Sequence, residues 1–101
     1  MTEFKRISDI VPSAPMFEGE RVDITTLLNQ DIVIVDFAFL PGRYGEFVVI
    51  QANTQDGRTV TFTTGGAAVI RKLKAAEGQT PFLARVVQRK GQSGRRYYDL
   101  E

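Results

Sequence analysis

The run Ile32-Val33-Ile34-Val35-Asp36-Phe37-Ala38-Phe39-Leu40 decides the fold class. Four β-branched residues and two phenylalanines in nine positions are the composition of a strand. The run is interrupted by Asp36 and is far too short to cross a bilayer. Pro41-Gly42-Arg43-Tyr44-Gly45 ends it, with proline and glycine supplying turn geometry. Glu46 to Ala52 reads as a second strand. Asn53-Thr54-Gln55-Asp56-Gly57 follows, and Asp-Gly between two strand-like runs signals a hairpin. Arg58 to Thr63 alternates threonine with Val60 and Phe62, the period-two pattern of a half-buried strand.

Past Thr64 the period changes. Val69, Ile70, Leu73 and Ala76 fall on one helical face of Ala67 to Ala76, with Arg71, Lys72 and Lys74 on the other as a solvated face. Thr64 is the expected N-cap and Gly78 the stop. Pro81 opens a fourth strand, Phe82 to Lys90. Gly91-Gln92-Ser93-Gly94 forms a loop, and Arg95 to Leu100 is the fifth strand. Upstream, Asp23 can accept backbone N–H bonds at the start of one helical turn over residues 23–28. Residues 1–22 hold Pro12, Pro15 and Gly19 without a period, and read as an irregular arm with one short extended piece around Phe4 to Ile10. The division is thus an arm, 1–22, and one domain, 23–101. Short antiparallel strands need closure to hide their edges. An all-β, five-stranded, partly open Greek-key barrel with one α-helix between strands three and four matches this order; an open α+β sheet is the alternative.

Composition narrows the classes. The 101 residues have room for one core. Cysteine and histidine are both absent, which removes thiolate and imidazole metal ligands and the usual neutral-pH base. No metal and no cofactor is implied. The first nine residues carry charges of both signs and no apolar core, so no secretory signal is expected and a cytoplasmic setting is inferred. Net charge is only +1, but residues 1–70 carry −4 and residues 71–101 carry +5. Such asymmetry suggests a basic surface aimed at an anionic partner, with solvated basic faces as the plain alternative.

Four segments carry a resemblance to a known group. They are Phe39-Leu40-Pro41-Gly42-Arg43-Tyr44-Gly45-Glu46-Phe47, the Asp56-Gly57 hairpin, the Thr64-Gly65-Gly66 entry to the helix, and Pro81-Phe82 through Gly94-Arg95-Arg96-Tyr97-Tyr98. In order and spacing, Asp31 to Leu100 resembles phage- and plasmid-type single-stranded DNA-binding proteins with an OB fold. The resemblance implies single-stranded DNA binding in replication, recombination or repair, with no catalytic step. The acidic partner-recruiting tail of many bacterial members has no counterpart before Glu101.

A single-strand binder needs cations that follow the backbone and aromatic faces on which bases stack. Arg43 and Tyr44 sit on one turn; Arg89, Lys90, Arg95, Arg96 and Tyr97 surround another, and the two loops are expected to converge. Alternation puts Val48, Ile50 and Ala52 in the core and Phe47, Val49 and Gln51 outside. Phe47 there either touches ligand or packs under the arm. Arg58 and Thr61, with Thr59 and Thr63, belong to the same outer face. Arg85 and Arg89 share parity, and either extend the basic track or form a solvated edge. Tyr98 shares parity with Leu100 and is expected inward, Tyr97 outward. Single-stranded DNA is the expected partner; RNA and a homo-oligomer stay open as further partners, a membrane does not. A protein-interaction barrel whose basic hairpin docks an acidic partner is the competing class. Glu18, Glu20, Asp23, Asp36 and Asp56 have no spacing that suggests a two-metal or glycosidase site. Thr64-Gly65-Gly66 lacks the phosphate-loop pattern. An enzyme is therefore not expected.

Overall fold

In the computed structural model, residue 17 and residues 19–101 are described. Asp31–Gly42 forms a strand longer than its apolar run, reaching through Pro41. Past Ile34 one edge of this strand has no partner among the described residues, so a proline without an N–H is tolerated there. In chain order the elements are β1 (Glu20–Arg21), a 3-10 turn (Ile24–Leu27), β2 (Asp31–Gly42), β3 (Gly45–Thr54), β4 (Thr59–Thr64), α1 (Ala67–Ala75), β5 (Phe82–Lys90) and β6 (Arg96–Leu100). The Phe4 to Ile10 piece of the arm lies outside the described residues.

One irregularity in β2 governs which side chains face the core. Ile34 pairs with Ala52 but Asp36 pairs with Gln51, so Val35 is an extra residue and the alternation slips by one. Ile32 and Ile34 point inward before the bulge. After it the inward residues are Phe37 and Phe39, opposite Ile50 and Val48. The same slip turns Asp36 outward, where its carboxylate accepts the Phe37 N–H at 2.8 Å.

The strands form one open sheet in the order β1-β4-β3-β2-β5-β6, with β1 parallel to β4 and every other pairing antiparallel. No ladder joins β4 to β6 among the described residues. The five-strand expectation therefore needs correction: the sheet has six strands and is open. The sixth comes from the segment read as an irregular arm, where Glu20 and Arg21 pair with Val60 and Thr61. Two residues are too few to leave a period, yet they cover part of an edge that would otherwise be bare.

The core lies between the sheet, the 3-10 turn and α1. Ile50, Val60, Phe62, Val69, Val86 and their neighbours are buried in one cluster, with the 3-10 turn adding Ile24 and Leu27. Asp23 caps that turn as expected, accepting the Thr25 N–H at 3.0 Å. Helix α1 buries Val69 and Leu73, one turn apart. Its N-cap is Gly66, not Thr64; Thr64 sits two residues earlier and its hydroxyl accepts the Gly66 N–H at 3.1 Å. Gly78 follows the helix with φ of 79°, a left-handed conformation that suits glycine.

Candidate nucleic-acid interface

The β2–β3 turn is built by two glycines. At Gly42 a Cβ would lie 2.5 Å from the Gly45 carbonyl oxygen and 2.9 Å from the Phe47 ring, and Gly45 has φ of 128°. Larger residues at either position would open the turn. The two residues between them are lifted clear of the sheet. Tyr44 is 94% exposed, and the Arg43 guanidinium lies 5.7 Å from its ring centroid, within cation–π range. Beside them is a shallow pocket of about 270 Å3, walled by Arg43, Tyr44, Glu46, Phe47 and Gly65. Phe47 is half-buried with its ring against Gly42, so it forms the pocket's floor rather than a free stacking face.

At the other hairpin, the Gly91 N–H donates to the Arg95 carbonyl at 2.7 Å, and Gly94 takes φ of 84°. Lys90 pairs with Arg96 and Arg89 with Tyr97. Tyr97 is 41% exposed with its ring beside Gly91, while Tyr98 packs against the core, as parity indicates. Lys90, Arg95 and Arg96 are exposed and have no acidic partner among the described residues.

These two tips do not converge. Strands β2 and β5 pair antiparallel, with Asp31 opposite Arg85 and Ile34 opposite Phe82. From that shared ladder β2 continues one way to Gly42, while β5 continues the other way to Lys90. The two tips therefore extend from opposite ends of the β2–β5 ladder.

Several expected site residues are otherwise engaged. Thr61 is only 8% exposed, flanked by β1 and β3, with its carbonyl accepting the Val22 N–H at 2.9 Å; its hydroxyl is not displayed for a ligand. Val49, expected outside, is 3% exposed, so the middle of the outer face is not an open platform. Thr59 donates its hydroxyl to Asn53 at 3.1 Å, and Thr63 is exposed. Arg58 is held by Asp56 at 2.9 Å and Glu20 at 3.4 Å. Arg85 is held by Asp31 at 2.7 Å, and this bond keeps the Asp31 carboxyl below its ordinary value. Arg89 reaches Asp99 at 2.7 Å and Glu101 at 3.2 Å. These three arginines carry little net charge toward a ligand. Lys72 and Lys74 are not a purely solvated face either, since they reach Asp99 at 3.0 Å and Glu46 at 2.6 Å.

Residues 18–101 match the family model described as a domain of unknown function, DUF8468. The chain belongs to the DUF8468 family. No curated protein and no solved structure matches it. Among the described residues of this DUF8468 domain, no group of three or more His, Cys, Asp or Glu is placed to hold a metal, and no helix is long and apolar enough to cross a membrane.

The DUF8468 domain also has an opening that no sequence pattern announces. Where β4 and β6 stay unpaired, a pocket of about 550 Å3 lies between Arg21 and Asp23 on one wall, Thr63 and Thr64 on a second, and Tyr98 on a third. Only the parity of Tyr98 gave any signal, and it pointed to the core.

Proposed function

We propose that this domain binds single-stranded DNA without catalysing a reaction. Bases stack on Tyr44 and Tyr97 while Arg43, Lys90, Arg95 and Arg96 neutralise phosphates. One observation carries the reading: a tyrosine 94% exposed, on a turn held by two glycines, with a guanidinium beside its ring. A ring so fully in water has no packing role, and unpaired bases are the ligands for which such a face is suited.

The strand order supports the reading. Taken without β1, the sequence β4-β3-β2-β5-β6 with a helix between β4 and β5 is the order of an OB barrel opened along one seam. We read the domain as a barrel of that type with a short added edge strand. Because the tips are opposed, the strand runs along the molecule from one hairpin to the other instead of lying in a single mouth. The paired arginines, Arg58, Arg85 and Arg89, then shape the path rather than supply its charge.

Fluorescence anisotropy with oligo-dT, oligo-U and a DNA duplex tests this. The expected result is preference for the single DNA strand over the duplex, with affinity falling as salt rises because counterions are released. Tighter binding of oligo-U would make RNA the ligand, since the fold itself does not choose. No binding to any oligonucleotide at low salt would overturn the proposal and favour an acidic protein partner for the β5–β6 hairpin.

A further inference from the structure

The seam between β4 and β6 is a second place where the chemistry of a nucleotide is matched. Among the described residues, strand β1 pairs with β4 only at Val60 and Thr61, and no ladder joins the rest of that edge to β6. The resulting pocket, about 550 Å3, is of the size that small ligands fill. Its walls carry three different functions. Arg21 is exposed and has no acidic partner among the described residues. The Asp23 carboxylate uses Oδ1 for the Thr25 N–H at 3.0 Å and the Thr25 hydroxyl at 2.9 Å, while no donor among the described residues reaches Oδ2. Tyr98 rests on the core and presents the pocket's aromatic wall, with Thr63 and Thr64 opposite.

We propose that this seam binds one nucleotide, its phosphate on Arg21, its base against Tyr98 and a base-edge N–H toward Asp23 Oδ2. A simple anion would match Arg21 but be repelled by Asp23. A cation would meet the reverse problem, and an apolar ligand would leave both charges unpaired. A nucleotide carries an anion, a flat ring and N–H donors in one molecule. The inference rests on the single-strand reading, in which the nucleotide is one unit of the bound DNA; a free mononucleotide offers the same chemistry.

Backbone-amide NMR titrations of the full chain with dTMP, with inorganic phosphate and with oligo-dT separate these cases. The proposal expects dTMP to shift amides of residues 21–24 and 63–64, and Arg21→Ala to weaken dTMP about tenfold, the effect of removing one charge-assisted hydrogen bond. Arg71→Ala, on the exposed face of α1 and outside both proposed sites, should bind dTMP as the parent does. If oligo-dT binds while dTMP moves nothing at the seam and Arg21→Ala binds oligo-dT normally, the seam proposal fails and the single-strand reading stands. If dTMP binds at the seam but no oligonucleotide binds, the site is confirmed for a free nucleotide and the single-strand reading fails. Equal shifts and affinity with phosphate alone would overturn recognition of the base.

Discussion

Tyr44 projects from the β2–β3 turn because Gly42 has no room for a Cβ and Gly45 holds a backbone conformation that larger residues avoid. Among the described residues only Arg43 lies over the ring, which is 94% exposed, so its removal tests ligand binding without disturbing the fold. Tyr44→Ala should lower affinity for oligo-dT by about 1–3 kcal/mol, the worth of one stacked base, with an unchanged salt slope and an unchanged thermal midpoint. Arg95→Ala or Arg96→Ala should act differently, reducing the slope of log affinity against log salt by about 0.7 for each single-strand phosphate that is no longer neutralised. Anisotropy titrations at several salt concentrations read both effects. The exposure of Arg43 and Tyr44 on one turn, and of Arg95, Arg96 and Tyr97 at the other, was legible in the sequence, since glycine-bracketed turns display whatever they carry. The commitment of Arg58, Arg85 and Arg89 to acids was not. Arg85 and Asp31 stand 54 positions apart, and only the strand register brings them to 2.7 Å.

Helix α1 and the β5–β6 hairpin are tied together at Asp99. Its side chain is 8% exposed, and burial by itself would raise its pKa. Hydrogen bonds from Arg89 at 2.7 Å, Lys72 at 3.0 Å and the Leu100 N–H at 2.8 Å outweigh that effect, so the net shift is downward. A depressed folded-state pKa means the stabilisation is present above the ordinary value of 3.8 and is lost as pH falls through the folded value. Asp99→Asn should therefore cost about 1–3 kcal/mol at pH 7, within the range for a hydrogen-bonded charge whose partners are partly solvated. Urea denaturation at pH 7 and below pH 3 should show that cost shrinking in acid; an equal cost at both pH values would contradict the assignment. At this scale the periodicities located β2 to β6 and α1 within one or two residues. They missed β1, which is too short to repeat, and the bulge at Val35, which only pairing with β3 reveals.

For the molecule as a whole, the proposed single-strand reading makes the opposed tips set the length of strand that is bound. An oligo-dT series should gain affinity with length until one strand reaches both hairpins, levelling off within the roughly 4–16 nucleotides typical of one OB-type domain. With the shortest oligomers, Tyr44→Ala and Arg95→Ala should not both weaken binding to the same molecule, because one strand cannot touch both ends. Additive losses should appear only past the plateau length. Additivity with the shortest oligomers would mean that the tips approach each other in solution, against the antiparallel register of β2 and β5.

The sequence by itself determined the local matter: where β2 to β6 and the helix form, which turns need glycine, and which tyrosine of the adjacent pair Tyr97 and Tyr98 faces out. Each follows from neighbours within a few residues, through backbone sterics and the periods of two and 3.6. Tertiary structure alone decided which arginines keep a free charge, that Thr61 and Val49 are buried, that the hairpins point apart, and that a pocket opens beside Tyr98. Those outcomes depend on which strands become neighbours and in what register, and pairings between distant segments leave no periodic trace in one chain.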